Sequence, residues 1–404
     1  MADQPLAGKR VIDLTTALAG PYATLLLAGL GADVIKVENP TTGGDTARTN
    51  APYIGRDGLT LARERPEDMS VSMLMRGRGK RSVTLNLKRP GARAVFADLV
   101  RDADVVVENF SAGVTGRLGI DYAYCRDINP RLVYTSISGF GAQGGPGSGK
   151  AMDAIVQAMS GVMMTAGSPD DPPARFGLPI ADLAAPLFAV IGTLAAVIQA
   201  ERTGQGQHVD VSMLGALTSL VACEPFDVFE GLGLPMRTGT TVPRLAPFGV
   251  FPARDGWFAL SGPTDAFARG VFAALGREDL GTDPRFATRD GRVAHADELH
   301  ALISAWAADL PVASAIERLT VHGVPAAEVR DPVRAVRDPI VLARGEVVQL
   351  GDLHGPGVPI RFSAATADLD EAAPGLGEHN ENVYGGLLGY SAQHLAELAE
   401  DGVI

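Results

Sequence analysis

The chain has 404 residues, of which 46% are hydrophobic and 20% are charged, and its formal net charge is −12. This composition is typical of a folded globular protein with an ample core, and it argues against a disordered chain. The acidic balance argues against general binding of nucleic acid or of an anionic membrane, so an anionic ligand would need a local basic cluster.

The cysteine and histidine content predicts neither disulfide bonds nor a metal centre. Cys125 and Cys223 stand apart, without the spacing of metal ligands, and the seven histidines form no HExxH motif. The first ten residues lack the apolar core of a signal peptide. We therefore expect a cytoplasmic protein without a bound metal.

The first forty residues have the pattern of a strand–helix–strand unit, with strands at 11–14 and 32–37 and a helix at 21–31. Glu38 ends the second strand, as the ribose-binding acid of a dinucleotide fold does. The first turn, residues 15–20, lacks the GxGxxG motif, which argues against a nicotinamide cofactor.

One basic segment follows a polar stretch at 41–69, which itself predicts a long loop. The segment runs from Arg76 to Arg89 and encloses a predicted strand at 82–87. Ligands of open α/β sheets bind at the carboxyl ends of strands, so Lys88 and its neighbours could hold a polyphosphate. A solvated charged face is the alternative interpretation.

The next part of the chain continues the strand and helix pattern and then opens into a glycine-rich loop at 139–150. Gly144, Gly149 and Lys150 match the start of a P-loop. Ala151 stands where magnesium binding requires a hydroxyl group, which argues against an ATPase. Lys150 can still attract an anion.

The longest apolar segment begins at Asp182 and carries no charge until Glu201. Its length just reaches that of a membrane span, but its Ala and Gly content and Pro186 favour a buried core helix. Asp182 then has two interpretations. It is an N-cap, or it is a carboxylate that the helix N-terminus keeps ionised and that acts as a nucleophile or base.

The sequence character changes near residue 224, where short strands and short helices replace the earlier alternation. We predict an α/β fold with a large domain formed by 1–223 and 330–404, and a smaller inserted α+β domain at 224–329.

Taken together, several segments resemble the class III CoA-transferase family, whose members include formyl-CoA transferase, carnitine CoA-transferase and α-methylacyl-CoA racemase. The resemblance covers nearly the whole chain. It rests on the segments Arg10–Pro21, Gly31–Glu38, Gly79–Leu85, Val107–Phe110, Ala181–Asp182, Arg202–Gln207 and Gly377–Asn380.

The resemblance implies a Rossmann-like large domain, a smaller domain and an interlocked homodimer. It implies acyl-CoA and a small carboxylic acid as substrates, with no tightly bound cofactor, and it places the catalytic aspartate at Asp182. The implied contacts to coenzyme A are Thr16, Ala17, Ala19, Leu85, Lys88, Asn109, Phe110, Arg117, Leu118 and Lys150.

One position separates the chemistries of this family. Racemases of the family carry a histidine where Met152 stands, and racemisation requires two bases. The sequence therefore favours a CoA-transferase that uses an aspartyl-CoA intermediate on Asp182. The alternatives are an acyl-CoA racemase, an isomerase that moves CoA within one molecule, or a CoA-binding protein without turnover. The glycine-rich flap of formyl-CoA transferase has its nearest counterpart at 237–241.

Overall fold

The computed structural model describes residues 4–145, 151–369 and 371–404. The fold divides into two compact units. The first contains residues up to 161, 176–221 and 336–404, and the second contains 162–175 and 222–335. The α/β class predicted from the sequence is confirmed by a large parallel sheet in the first unit.

That sheet has six parallel strands, which we number along the chain. They are β1 (Arg10–Asp13), β2 (Asp33–Glu38), β3 (Lys80–Thr84), β4 (Val105–Glu108), β5 (Val133–Ser138) and β6 (His208–Ser212). Their spatial order is β3-β2-β1-β4-β5-β6. This is the strand order of dinucleotide-binding folds, in which ligands bind where the order reverses, here between β1 and β4.

Helices of the first unit connect or follow these strands. They are α1 (Ala19–Gly29), α2 (Val71–Arg76), α3 (Ala92–Arg101), α4 (Val114–Leu118), α5 (Tyr122–Ile128), α6 (Asp153–Met159), α7 (Ile180–Thr203) and α8 (Met213–Val221). A 3-10 turn, Val162–Met164, follows α6 in the chain.

The stretch 41–69, predicted as a loop, contains a small antiparallel sheet. Its strands are Tyr53–Gly55, Gly58–Thr60 and Met69–Ser70, preceded by 3-10 turns at Pro40–Thr42 and Thr46–Thr49. The last part of the first unit holds a hairpin, a π-helical turn and two short helices. The hairpin pairs Val347–Leu350 with Leu353–Pro356, and the π-helical turn is Glu381–Leu387. The two helices are Pro339–Ala343 and Ala392–Glu400.

Helix α7 is a core helix of the first unit. Among the described residues it is the one helix long and apolar enough to cross a membrane, but half of that apolar stretch is buried inside the protein. Its buried side is mostly alanine, which lets α7 approach α1 and α8 closely. The preference for a buried core helix agrees with this packing.

The outer strand β3 has a second partner besides β2. The N–H of His379 donates to the carbonyl of Ser82 over 2.9 Å, and the N–H of Thr84 donates to Asn380 Oδ1 over 2.8 Å. The buried hydroxyl of Tyr384 donates to the carbonyl of Thr84 over 2.8 Å. A C-terminal segment thus covers the edge that β3 would otherwise expose.

The second unit is built on a four-stranded antiparallel sheet, whose strands are Thr241–Val242, Leu245–Ala253, Gly256–Ser261 and Ala326–Glu328. A hairpin with its turn at Arg254–Asp255 joins the second strand to the third. The helices are Phe226–Gly231, Asp265–Ala274, Arg289–Ala294, Ala296–Ala307, Val312–Val321 and Pro332–Val336, with a 3-10 turn at Glu278–Gly281. Phe258, Phe272 and Leu299 lie in its core.

Candidate active site

The loops that follow β1 and β4 are joined at the point where the strand order reverses. The N–H of Thr16 donates to Asn109 Oδ1 over 2.9 Å, and Asn109 Nδ2 donates to the carbonyl of Thr16 over 2.8 Å. This reciprocal pair fixes both loops. The structure therefore brings together Thr16 and Asn109, two of the residues predicted to contact coenzyme A.

Ala17 has an unusual backbone conformation, with φ of 68°. Residues with a side chain rarely adopt this left-handed region, so neighbouring bonds must hold it. The N–H of Ala17 donates to Asp45 Oδ1 over 2.8 Å. Ala17 is exposed, whereas Ala19, another predicted contact, is buried at the start of α1.

Asp45 belongs to a network of four buried charges beneath this turn. Lys36 Nζ lies 2.8 Å from Asp45 Oδ2 and 3.9 Å from Asp13 Oδ2, and Lys80 Nζ lies 3.1 Å from Asp13 Oδ2. The Lys36–Asp45 contact is an ion pair without a well-aligned hydrogen bond. Two carboxylates and two ammonium groups leave the network without net charge.

The network shifts the pKa of its members. Burial opposes ionisation of Asp13, but Lys36 and Lys80 outweigh it and lower the pKa of Asp13 to about 2. Burial lowers the pKa of Lys80 to about 8, against the attraction of Asp13. Lys80 is therefore a core residue and cannot serve as a surface cation.

The other basic residues of the segment 76–89 do not form one surface either. Arg78 is buried, and its guanidinium donates to the carbonyl of Pro356. Arg81 Nε donates to Asp33 Oδ1 over 2.9 Å, while Lys88 is exposed beyond β3. The segment therefore does not form one basic surface, and the contact of Lys88 to coenzyme A stays a prediction.

Five further residues were predicted to contact coenzyme A, and three of them lie together. Leu85 is buried in the core that Phe110 and Leu118 pack against, so these three residues share one apolar cluster. Arg117 is exposed on α4. Lys150 lies outside the described residues.

A cavity of about 250 Å³ lies beside β4, β5 and β6, and Phe110 is part of its wall. Buried Glu108 and Ser136 line it, together with His208, whose Nε2 lies 2.9 Å from Ser136 Oγ. Burial raises the pKa of Glu108 and lowers that of His208. No pattern in the sequence indicates this polar wall, because its members come from three separate strands.

Asp182 is the third residue of α7, which begins at Ile180. The interpretation of Asp182 as the N-cap is therefore wrong. Asp153 caps the helix in its place: Asp153 Oδ1 accepts the N–H of Ala181 over 2.9 Å and the N–H of Asp182 over 3.5 Å. Pro186 has no N–H, so it cannot donate the usual helical hydrogen bond to the carbonyl of Asp182.

Gln157 extends this support. Its side chain is fully buried, and its Nε2 donates to Asp153 Oδ2 over 2.7 Å. Its Oε1 accepts the N–H of Phe176 over 2.9 Å. The segment from Phe176 to Asp182 is thus fixed onto α6. Neither Asp153 nor Gln157 was predicted as a site residue, although side chains four residues apart lie on one face of a helix.

Burial, followed by the nearby charge of Asp153, raises the pKa of Asp182 to about 6, and the positive charge of Arg76 opposes this rise. The helix N-terminus was expected to favour the ionised form, so the direction of the shift differs from that expectation. At pH 7 about 90% of the carboxylate is still ionised. Asp182 is therefore a half-buried, partly desolvated anion, which suits a nucleophile.

Within residues 4–145, 151–369 and 371–404, no three His, Cys, Asp or Glu side chains converge as a metal site.

Comparisons with known proteins agree over nearly the whole chain. The family model described as CoA-transferase family III matches residues 6–380. An acetyl-CoA:oxalate CoA-transferase of Acetobacter aceti is 40% identical over 365 residues, or 89% of each chain. A succinate–glutarate CoA-transferase of Agrobacterium fabrum is 37% identical, over 94% of each chain. The crystal structure of a CaiB/BaiF family protein from Brucella suis superimposes with a TM-score of 0.82 at 35% identity, covering 95% of this chain and all of that one.

Proposed function

Because the chain belongs to CoA-transferase family III, we propose that it moves CoA from an acyl-CoA thioester to a small carboxylic acid through a covalent intermediate on Asp182. The observation that carries the proposal is a half-buried carboxylate, held in place by Asp153 and mostly ionised at neutral pH. Relatives are named for oxalate, glutarate and citramalate, which supports a small carboxylic acid as the acceptor.

In the proposed cycle an oxygen of Asp182 attacks the thioester carbonyl of the acyl-CoA. The C–S bond breaks, the CoA thiolate leaves with the electron pair, and an acyl-aspartyl anhydride remains. The thiolate then attacks the side-chain carbonyl of Asp182, which releases the donor acid and leaves an aspartyl-CoA thioester. The acceptor acid repeats both steps in reverse and restores the carboxylate.

Each tetrahedral intermediate develops a negative oxygen that needs hydrogen-bond donors. The N–H groups of Thr16 and Ala17 already bond to Asn109 and Asp45. The N–H groups of Leu18 and Ala19 have no hydrogen-bond partner in the part of the chain that the structure describes. We assign the oxyanion contact to these two donors at the start of α1.

The proposal extends to the assembly and to the remaining contacts. Leu187, Ile191 and Ile198 on α7 are 47%, 64% and 65% exposed, which is unusual for large apolar side chains on a core helix and supports a homodimer. Coenzyme A contacts at the ten predicted positions, a small domain at 224–329 and a cytoplasmic location remain part of the proposal. No tightly bound cofactor is required by this chemistry.

Covalent loading tests the proposal. Acyl-CoA alone, without acceptor acid, should convert Asp182 to a thioester. Hydroxylamine should then give a hydroxamate, and mass spectrometry of the peptide 176–202 should locate it. Asp182→Ala should lose transfer almost completely and still bind CoA, because the phosphate contacts lie elsewhere.

Asp153→Asn is the matched control for the label, since Asp153 is the neighbouring carboxylate and asparagine keeps an oxygen that can cap α7. It should retain a label at Asp182. A label on Asp153, or full transfer by folded Asp182→Ala, would contradict the proposal. Rapid deuterium uptake at the α-carbon of 2-methylacyl-CoA, lost in Asp182→Asn, would identify a racemase.

A further inference from the structure

Ala17 has a backbone conformation that its own side chain disfavours. Among the described residues it is the one non-glycine residue with a positive φ, 68°. This conformation has a free-energy cost for a residue with a Cβ atom, so the surrounding contacts must impose it. Ala17 is exposed, and core packing around its side chain therefore does not impose it. The turn follows β1, at the point where the strand order reverses.

A closed ring of contacts encloses this turn. Lys36 Nζ, on β2, donates to the carbonyl of Thr15 over 2.8 Å. The same ammonium group lies 2.8 Å from Asp45 Oδ2, and Asp45 Oδ1 accepts the N–H of Ala17 over 2.8 Å. The side chains of Lys36 and Asp45 are each 1% exposed, so water does not compete for these contacts. The ring therefore holds the chain on both sides of the residue that precedes Ala17.

Asp45 is itself fixed by its neighbours. Its N–H donates to Glu38 Oε1 over 2.9 Å, and its Oδ1 also accepts the N–H of Ala47 over 2.8 Å. The second bond caps the 3-10 turn that follows, which is an ordinary structural role for an aspartate. Capping uses one carboxylate oxygen and one N–H. It does not explain the bond to Ala17 or the buried ion pair with Lys36.

The conformation of Ala17 sets the direction in which the chain enters α1. Rotation about the N–Cα bond of Ala17 would turn the N–H groups of Leu18 and Ala19 relative to Thr16, which Asn109 holds. Neither of these two N–H groups has a partner among the described residues. They are the donors that the proposed function assigns to the oxyanion, and the inference below rests on that function.

We propose that Asp45 is a positioning residue for CoA transfer. It holds Ala17 in the left-handed conformation, and this conformation directs the N–H groups of Leu18 and Ala19 at the negative oxygen of each tetrahedral intermediate. Asp45 touches no substrate and exchanges no proton. Donors that are fixed before the reaction stabilise the oxyanion without reorganisation, so they raise kcat and leave the binding of acyl-CoA unchanged.

Asp45→Asn tests the proposal. Asparagine keeps the shape of the side chain, but in either orientation its NH₂ group faces a donor, which is Lys36 Nζ or the N–H groups of Ala17 and Ala47. With acetyl-CoA and oxalate, the substrates for which one relative is named, kcat should fall at least about thirtyfold. The rate at which acetyl-CoA alone labels Asp182 should fall by a similar factor. The KM for acetyl-CoA should stay within about threefold of the wild-type value.

A second substitution separates positioning from general support of the fold. Glycine adopts a positive φ without the penalty of a Cβ atom and so needs no bond to Asp45. Adding Ala17→Gly to Asp45→Asn should therefore raise kcat at least about fivefold, although the charge network stays incomplete. A merely structural loss would not be repaired at this residue. Asp338→Asn is the matched control, because Asp338 is not part of the ring and caps a short helix through the N–H of Ile340 over 2.7 Å; it should leave kcat unchanged.

Ala17→Val covers the case in which Asp45→Asn does not fold. It leaves the charge network intact, but a β-branched side chain opposes a positive φ more strongly than alanine does, so kcat should fall at least about tenfold. A folded Asp45→Asn protein with kcat within about threefold of the wild-type value would overturn the inference. A loss that Ala17→Gly does not restore, or an unchanged kcat in Ala17→Val, would overturn it as well.

Covalent labelling distinguishes failure of this inference from failure of the proposed function. A wild-type protein that transfers CoA but carries no label on Asp182 would refute the covalent cycle, and the effect of Asp45→Asn on kcat would still test the positioning role. A label that forms on Asp182 at the wild-type rate in Asp45→Asn would refute only the role of Asp45.

Discussion

Asp182→Asn should stabilise the fold while it abolishes transfer. Burial and Asp153 raise the pKa of Asp182 from 3.8 to about 6, so ionising this side chain at neutral pH acts against the folded state. A rise of about two pKa units corresponds to about 3 kcal/mol. Asparagine removes that cost, and the free energy of unfolding at pH 7.5 should rise by up to about 3 kcal/mol.

The gain in stability should become smaller as the pH falls. The folded state binds the proton of Asp182 more tightly than the unfolded state, so this group weakens the fold as pH rises from about 4 to about 6. The advantage of Asp182→Asn should therefore fall to about half its value at pH 5. Urea unfolding of both proteins at pH 5 and pH 7.5, followed by circular dichroism, measures it.

Glu201→Gln is a control substitution for which we expect no gain in stability. Lys9 lowers the pKa of exposed Glu201, so Glu201→Gln should not stabilise the protein. An Asp182→Asn protein that is less stable than wild type at pH 7.5, or a gain that grows on acidification, would refute the assignment of Asp182 as a desolvated anion.

Two further predictions concern the site. Asp153→Asn keeps an oxygen that can cap α7 but removes the negative charge that raises the pKa of Asp182. The acid limb of the pH–rate profile should therefore move below pH 6, but not down to 3.8, because Asp182 stays buried. An acid limb that does not move would contradict the role of Asp153. Arg117→Ala should raise the KM for acyl-CoA several-fold, which corresponds to a loss of about 1–2 kcal/mol in binding free energy. The affinity of the wild-type protein for acyl-CoA should fall as the salt concentration rises. An unchanged KM and no dependence on salt would show that Arg117 does not contact CoA.

Local patterns predicted most of the elements, because each strand and helix carries its own periodicity and turn residues. The prediction of one basic surface at 76–89 overlooked a property that can be read from the sequence. Successive residues of a strand face opposite sides of the sheet, so Lys80 and Arg81 in β3 cannot share one surface. Lys80 accordingly reaches Asp13, and Arg81 reaches Asp33.

The sequence predicted Asp182 as a candidate site residue but not the side chains that surround it. Asp182 was found because it opens an apolar segment and matches a family motif. Its cap, Asp153, precedes it by 29 residues, and the Gln157 side chain that supports this cap was not predicted either. Such contacts are set by the packing of distant elements, which periodicity within one segment does not encode.

The segment that covers β3 also bears on how the protein is made. β3 is complete once residue 84 has left the ribosome, but His379, Asn380 and Tyr384 are synthesised almost three hundred residues later. At a rate of about 5–20 residues per second, the sheet edge waits roughly 15–60 s for its cover. During that time an unpaired parallel edge invites pairing with other nascent chains. Synthesis of residues 379–384 is thus the step after which this edge can be covered.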